Sequence, residues 1–292
     1  MIMLVEWQNY IDVFALTHVG KVRKNNEDSI LEMKNCGFFA VSDGMGGGNA
    51  GEIASQMIVS NLKNAIESSS SIPGEREGNI IRAANQANYQ INDFAAERHY
   101  SSMGATLVSC LLNPWYPSVA TILHAGDSRL YRLRDDELEC LTEDHTVATA
   151  SKVSESKLAP MFRGVLTNAL GTGVEFFLER TSINIQRDDL YILCSDGLSR
   201  MVTDQEIQQI CVPLINTPCK QICQTLIETA LDNGGRDNVS VIVLKIKKLW
   251  KEYSPSRKEA EAEANAQTQN LMDLSETPQT EIIDAALAKD NQ

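Results

Sequence analysis

Short apolar runs of strand length recur along the first 250 residues, and polar or turn-forming residues separate them. Many are bounded by Gly, Asp, Asn or Pro, which commonly end strands. Eight such runs predict β-strands at 11–17, 37–43, 105–112, 119–125, 128–133, 176–184, 189–195 and 238–246. Apolar residues spaced three or four positions apart predict α-helices at 50–68, 77–98, 203–214 and 218–232.

The order of these elements indicates the fold class. Two long helices come early, and four strands then follow one another before the next helix. Because strands follow strands directly, the sheets should be largely antiparallel, and the sequence predicts an α+β fold instead of a doubly wound one. The third helix is preceded by a capping box, in which Thr203 can cap the helix and Glu206 can bond back to it.

The strand pattern stops after Lys248. Residues 249–292 are rich in Ala, Glu and Gln and hold few large apolar side chains, and from Lys251 onward nine acidic residues face four basic ones. A chain of this composition cannot bury enough apolar surface to fold. We therefore predict one folded domain, 1–248, and an acidic, disordered tail, 249–292.

Composition narrows the class of protein. The net charge of −13 argues against partners such as nucleic acid or an anionic membrane. Seven cysteines without a CxxC pair read as free thiols of a reducing compartment. The N-terminus lacks the basic region of a signal peptide, and no apolar run reaches the roughly 18 residues of a membrane span. The prediction is a cytoplasmic protein.

A glycine-rich stretch, "VSDGMGGGNAGE", raises two alternatives. Residues 46–51 match the G-x-G-x-x-G pattern of a phosphate-binding loop between a strand and a helix. That pattern alone is weak, and a dinucleotide fold would need a second strand soon after the loop, whereas none is predicted before residue 100. The other reading is a strand end that delivers the carboxylate of Asp43 to a metal ion.

Acidic residues stand at or near several of the predicted strand ends. They are Asp43, Asp127, Asp196, Asp237 and the pair Glu27 and Asp28. Any one alone is most simply a turn residue. If antiparallel strands bring them to one rim, their mutual repulsion requires a bound cation. Oxygen ligands without a His or Cys set suit Mg²⁺ or Mn²⁺, so the sequence favours a metal centre.

Eight segments, read in order, resemble the metal-dependent Ser/Thr protein phosphatases of the protein phosphatase 2C type, especially their bacterial branch. The segments are "GKVRKNNED", "VSDGMGGGNAGEIAS", "MGATLVS", "AGDSRLYRLR", "LTEDHT", "VLTNALG", "LCSDGL" and "GRDNVSVIVL", which together cover about residues 11–246. The resemblance implies a four-layer α-β-β-α sandwich, in which helix pairs flank two antiparallel sheets. It also implies that 1–248 is a catalytic domain.

The resemblance further implies two Mg²⁺ or Mn²⁺ ions per active site. Asp43 would bridge them, and the Gly44 carbonyl would bind one. Asp196 and Asp237 would complete the second ion. Asp127, together with Asp196, would serve a weaker third metal site.

Four more positions receive roles from the same resemblance. Arg23 would bind the substrate phosphate and, with Asp43, form the catalytic pair. Asp28 would hold metal-bound water, while Glu27 and Asn238 would stand behind the ligands. A water bridging the two ions would attack phosphorus in line, without a phosphoenzyme.

Some positions depart from the family pattern. Gly48 replaces a histidine that is common in bacterial members, and Met45 stands where many eukaryotic members carry a histidine. The segment between His145 and Val165, which forms a flap in relatives, is several residues shorter than usual.

The function implied is hydrolysis of phosphoserine and phosphothreonine in phosphorylated proteins, opposing a bacterial-type Ser/Thr kinase, by a monomer. Three alternatives stay open at this point. One is a phosphatase of the same fold that acts on a regulatory protein in a partner-switching pathway. The second is a catalytically silent pseudophosphatase that binds phosphoproteins or a partner, and the third is a carboxylate-metal hydrolase of unrelated fold.

Overall fold

The structure of the protein is a computed structural model that describes residues 7–46, 50–69, 74–100, 102–173 and 176–250. In chain order the strands are β1 (Ile11–His18), β2 (Asp28–Met33), β3 (Phe38–Gly46), β4 (Met103–Ala105), β5 (Leu107–Leu112), β6 (Val119–Ala125), β7 (Arg129–Arg134), β8 (Glu137–Cys140), β9 (Glu179–Asn184), β10 (Leu190–Cys194) and β11 (Val239–Ile246). The helices are α1 (Ala50–Ser68), α2 (Glu75–Arg98), α3 (Val147–Ser151), α4 (Asp196–Ser199), α5 (Asp204–Leu214) and α6 (Cys219–Asp232).

The strands form two sheets in which all neighbours pair antiparallel. One sheet has the order β1-β11-β10-β7-β8, and the other has the order β2-β3-β5-β6-β9, with β4 paired to the end of β3. Helices α1 and α2 cover the outer face of the second sheet, while α5 and α6 cover the outer face of the first. The predicted α+β class and the four-layer α-β-β-α sandwich are confirmed.

Strands in the middle of the sandwich are apolar on both faces, which explains their continuous apolar runs. In β3, Phe38 and Ala40 pack toward α1 and α2, whereas Phe39 and Val41 pack into the core between the sheets. Both faces are buried, so strict alternation is lost and only the length of the run indicates a strand.

Several local features differ from the sequence prediction, among them the short helices α3 and α4, which were not predicted. Strand β2 was missed because its sequence, "DSILEM", has no continuous apolar run. Strand β8 follows a two-residue turn at Asp135 and Asp136, whose φ angles of +51° and +64° are typical of hairpin turns. The predicted strand 105–112 divides at Thr106, which lies between β4 and β5 and hydrogen-bonds Asp43.

The two ends of the described chain meet in the core. The Trp7 and Trp250 rings lie edge to face with centroids 4.6 Å apart, and the two residues are 2% and 4% exposed. Most of the predicted tail, residues 251–292, lies outside the described residues, so its disorder stays a prediction. No helix of the described ranges is both long and apolar enough to cross a membrane.

The capping box of α5 is formed as predicted. The Thr203 hydroxyl accepts from the Glu206 N–H, and the Glu206 carboxylate accepts from the Thr203 N–H. We expect Thr203→Ala to lower the free energy of unfolding by about 1 kcal/mol, because the Glu206 N–H loses its side-chain acceptor. Urea unfolding measures the change. Thr225→Ala, within α6, is the control and should change stability by less than about 0.5 kcal/mol.

Candidate metal centre

Pairing between β2 and β3 places two aspartates side by side at the end of the second sheet. Asp28 lies directly opposite Asp43 in the antiparallel register. Asp28 is buried, and the Ser195 hydroxyl donates to its Oδ2 at 2.8 Å. Ser195 in turn accepts from the Ser240 N–H at 3.0 Å, so β10 and β11 of the opposite sheet hold this carboxylate.

Thr106 holds the backbone of Asp43. The Asp43 N–H donates to Thr106 Oγ1 at 3.0 Å, and the Thr106 N–H donates to the Asp43 carbonyl at 2.9 Å. The Thr106 hydroxyl also contacts the Ser128 hydroxyl at 2.6 Å. Two reciprocal bonds fix the point where β3 leaves the sheet, and they therefore fix the direction of the Asp43 side chain.

Gly44 is required by close packing of the backbone. A Cβ at this position would lie 2.1 Å from the Gly51 carbonyl oxygen and 2.5 Å from the Glu27 carbonyl oxygen. Residues 47–49, including Gly48, lie outside the described residues. At positions 44 and 51, the glycines of this stretch allow α1 to begin against the end of β3, which a side chain would prevent.

Strands β10 and β11 bring two more aspartates to the same end of the sandwich. Asp196 begins α4 directly after β10, and Asp237 directly precedes β11. The Asn238 side chain ties this region together, since its Oδ1 accepts from the Glu27 N–H at 2.8 Å and its Nδ2 donates to the Val19 carbonyl at 2.9 Å. Asn238 and Glu27 are thus joined to each other next to these carboxylates, Glu27 also lines the cleft, and their supporting role stays a prediction.

Two arginines contact this acidic cluster from different sides. Arg23 Nη2 donates to Asp237 Oδ2 at 2.7 Å. Arg200 contacts Asp196 Oδ2 through Nε at 2.9 Å and Asp127 Oδ2 through Nη2 at 3.0 Å. An open cleft of about 430 Å³ is lined by both arginines and by Asp43, Asp127, Asp196 and Asp237.

Burial makes the charged forms of these carboxylates costly. Burial raises the pKa of Asp28 to about 6 and that of Asp127 to about 6. Burial, reinforced by the charges of Asp28 and Asp196, raises the pKa of Asp43 well above its usual range. The pKa of Asp196 is also raised by burial, against the lowering effect of Arg200. Such a cluster favours a cation that compensates the charge.

The residues present fit divalent ions. Asp28 Oδ1 and Asp196 Oδ1 are buried and have no hydrogen-bond partner. A buried carboxylate oxygen without a partner is costly, and a cation would satisfy it. Carboxylate oxygens, together with the Gly44 carbonyl, are the donors that Mg²⁺ and Mn²⁺ prefer.

A second cluster, His124, His145 and Glu179, is held by hydrogen bonds that disfavour a metal. His145 Nδ1 accepts from the Gly126 N–H at 3.1 Å and from Asn168 Nδ2 at 2.9 Å, so the proton of the neutral ring is on Nε2. That Nε2 lies 3.2 Å from Glu179 Oε2 and donates to it. His124 packs on the His145 ring, and burial lowers its pKa to about 4.

The structure brings all the sequence-predicted site residues to one end of the sandwich. These are Arg23, Glu27, Asp28, Asp43, Gly44, Asp127, Asp196, Asp237 and Asn238. Sequence reasoning gave no role to Thr106, Ser195 or Arg200. Of these three, only Arg200 could have been predicted from the sequence. It lies four residues after Asp196 at the start of a helix, a spacing at which an acidic side chain and an arginine come into contact.

Comparison with known proteins points to one family. The family model described as protein phosphatase 2C matches residues 20–232. The chain is 35% identical over 235 residues to PstP, a serine/threonine protein phosphatase of Mycobacterium tuberculosis, and the match covers 77% of this chain but 43% of that protein. It is 31% identical over 239 residues to the serine/threonine phosphatase stp of Listeria welshimeri, covering 78% of this chain and 93% of that one.

Solved structures agree with the sequence comparison. PppA, a regulatory component of the type VI secretion system (T6SS) of Pseudomonas aeruginosa, superposes with a TM-score of 0.73 at 31% identity, covering 81% of this chain and 98% of that one. The catalytic domain of PstP in complex with two manganese ions gives 0.70 at 33% identity, with the same coverage. With this fold, this match over residues 20–232 and these bacterial relatives, the chain belongs to the protein phosphatase 2C family, in its bacterial branch.

Proposed function

We propose that the protein is a Mg²⁺- or Mn²⁺-dependent phosphatase that removes phosphate from phosphoserine and phosphothreonine in proteins. One observation carries this proposal: four aspartates line a cleft with an arginine at its rim, a fifth, Asp28, lies opposite Asp43, and two of the five have a buried oxygen without a partner. The names of the relatives, which are serine/threonine phosphatases, support the same reaction.

The carboxylates divide between two ion positions in this proposal. Asp43 would contact both ions, the Gly44 carbonyl would contact one, and Asp196 and Asp237 would contact the other, while Asp28 would hold water beside them. When bound, divalent ions supply Lewis acidity that activates water and neutralises phosphoryl charge. The chain itself contributes the fixed positions of these oxygens, through Thr106 behind Asp43 and through Ser195 and Asn238.

Arg23 is the substrate-binding residue in the proposal. Its side chain is half exposed at the rim of the cleft, and its guanidinium already bonds one carboxylate, that of Asp237. A guanidinium can offer parallel N–H groups to a phosphate, which suits it to hold the phosphoryl group for in-line attack. The described lining of the cleft contains no cysteine, in agreement with attack by water instead of a protein thiolate.

The cellular setting in the proposal follows from sequence and chemistry. Substrates are phosphorylated proteins, and the enzyme opposes a bacterial-type Ser/Thr kinase as a monomer in the cytoplasm. All seven cysteines are unpaired, which fits a reducing compartment. A pseudophosphatase would be expected to have lost one of the acidic positions, but Asp43, Asp196 and Asp237 are all present.

Phosphate release from a phosphothreonine peptide tests the proposal, with Mn²⁺, with Mg²⁺ and with excess EDTA. We expect turnover with at least one metal, and we expect EDTA and Asp196→Asn each to abolish it. A folded protein that binds Mn²⁺ yet releases no phosphate under any of these conditions would contradict the proposed activity. Such a result would favour a protein that binds phosphoproteins without turnover.

Arg23→Ala is expected to lower kcat/KM for the phosphopeptide about 10- to 100-fold. A hydrogen bond to a charged group contributes about 1.5–3 kcal/mol, and each 1.36 kcal/mol is about tenfold in rate. Steady-state kinetics measure the change. Lys21→Ala is a matched control, since Lys21 makes an exposed ion pair with Asp232 at 3.4 Å and does not line the cleft. Equal losses in both variants would contradict a specific role for Arg23.

A further inference from the structure

The Arg200 guanidinium lies between two carboxylates of the cleft and contacts both. Its Nε is 2.9 Å from Asp196 Oδ2, and its Nη2 is 3.0 Å from Asp127 Oδ2. The Asp127 and Asp196 side chains are 8% and 13% exposed, whereas Arg200 is 44% exposed. In the described ranges, no other lysine or arginine forms an ion pair with either aspartate.

Local structure fixes Arg200 in this position. Asp196 begins α4, and the Arg200 N–H donates to the Asp196 carbonyl at 2.8 Å at the end of that helix. The two side chains therefore lie one helical turn apart on the same face, where an acid and an arginine meet. Asp127 comes from the turn between β6 and β7, so the contact also joins separate parts of the sheets.

The backbone at Gly164 lies close to the Arg200 guanidinium. Gly164 has φ of +65°, and a Cβ on it would lie 3.0 Å from Arg200 Nη2. The guanidinium thus has carboxylates on one side and the backbone at Gly164 nearby on another, while 44% of the Arg200 side chain stays exposed. Glu155 lines a neighbouring cavity with Arg200 and adds to the negative potential around it.

We propose that Arg200 supplies the cation between Asp127 and Asp196, the position that the family resemblance gives to a third metal ion, so that this chain binds two divalent ions instead of three. The inference rests on the proposed function, because it requires the two-ion centre. Arg200 is a positioning residue in this scheme: it holds Asp196 for the metal centre and keeps Asp127 occupied.

Physical chemistry favours the tethered arginine over a third ion. The guanidinium is linked to the fold, so its effective concentration at the two carboxylates is about millimolar or higher. It is always charged, and its planar donors reach both carboxylates together. A third ion would have to displace it and leave a partly buried guanidinium without its partners, which costs free energy.

Counting bound Mn²⁺ tests the inference without relying on activity. The full chain is titrated with Mn²⁺ alone, and free Mn²⁺ is measured by its electron paramagnetic resonance signal. We expect two bound ions in the wild type and in Arg200→Lys, which keeps the charge, and three in Arg200→Ala. Adding Asp127→Asn to Arg200→Ala should return the count to two, which locates the third ion. Arg132→Ala, on an ion pair with Glu139 outside the cleft, is the charge-matched control and should bind two.

The outcomes separate the inference from the proposed function. Three ions in the wild type, or two in a folded Arg200→Ala, would overturn the role of Arg200 while leaving a two-ion phosphatase intact. No bound Mn²⁺ in any variant would overturn the proposed function and this inference with it. If circular dichroism shows that Arg200→Ala does not fold, Arg200→Gln takes its place, and the wild-type count is decisive in either case.

Discussion

Asp43→Asn is expected to lower phosphate release about a thousandfold or more. Asp43 is the carboxylate that the proposal places against both ions, and its direction is fixed by the two backbone bonds to Thr106. Lewis-acid stabilisation of the transition state is worth several kcal/mol, and each 1.36 kcal/mol is about tenfold in rate. Steady-state kinetics with saturating Mn²⁺ measure the loss.

The same substitution should make the metal-free protein more stable. Burial and the charges of Asp28 and Asp196 raise the pKa of Asp43, so its ionised form is unfavourable at pH 7. Asparagine removes that charge and keeps the shape, and a gain of about 1 kcal/mol would raise Tm by about 2–4 °C in EDTA.

An exposed aspartate provides the control for both effects. Asp93→Asn in α2 changes the net charge equally but does not line the cleft. It should leave both activity and Tm unchanged. An Asp43→Asn variant that loses stability in EDTA would show that the cluster is not under electrostatic strain, and near-normal turnover would exclude Asp43 as a metal ligand.

Adding Mn²⁺ at pH 7 is expected to raise Tm by roughly 5–10 °C, and EDTA should reverse the change. Binding to one site at a hundredfold excess over Kd stabilises the folded state by about 2.7 kcal/mol, and each kcal/mol corresponds to about 2–4 °C for a domain of this size. Differential scanning calorimetry at several Mn²⁺ concentrations measures the shift.

This stabilisation should shrink as the pH falls from 7 to 5. Burial raises the pKa of Asp28 to about 6, and burial together with neighbouring charges raises the pKa of Asp43 well above its usual range, so both exceed the values of the unfolded chain. The metal-free folded protein therefore takes up protons in this window while the unfolded chain does not, and it gains stability as the pH falls. Protons on Asp43 and Asp28 thus oppose the binding of Mn²⁺ at the proposed two-ion centre.

The difference between the Mn²⁺ and EDTA curves is the quantity to compare at each pH. Groups away from the cleft contribute to both curves and cancel. One such group is His124, whose pKa is lowered by burial to about 4, so that it opposes folding as the pH falls. A Mn²⁺ effect on Tm that is equal at pH 7 and pH 5 would contradict the competition.

Local patterns of the sequence predicted most of the fold. Helix α1 spans the predicted residues, 50–68. Its apolar residues are regularly spaced, and the glycines that precede it in the sequence mark its start. The first and last residues of β6 and β11 were predicted to within one residue, because each strand is a nearly continuous apolar run. Strand β2 was missed because both of its faces are only partly buried and its sequence mixes polar and apolar residues.

The contacts that position the site depend on sheet order, which local patterns do not contain. The Ser195 hydroxyl reaches Asp28 across 167 residues of chain, and Arg200 reaches Asp127 across 73. No local pattern in the sequence indicates either of these two contacts. The metal ligands could be proposed only because several aspartates shared the same local setting, the end of a strand, and because the order of motifs resembled a family.

The tryptophan pair that joins the two ends of the described chain offers an optical probe of this fold. Strand β11 leads from Asn238 near the cleft to the Trp7 and Trp250 rings, a path of about 25 Å at 3.3 Å per residue. With Trp115, the third tryptophan, replaced by Phe, fluorescence of that pair therefore records separation of Trp7 from Trp250 at a distance from Mn²⁺ in the cleft. In one sample, tryptophan fluorescence can follow unfolding at one end of the sandwich, while the paramagnetic resonance signal of free Mn²⁺ follows metal binding at the other.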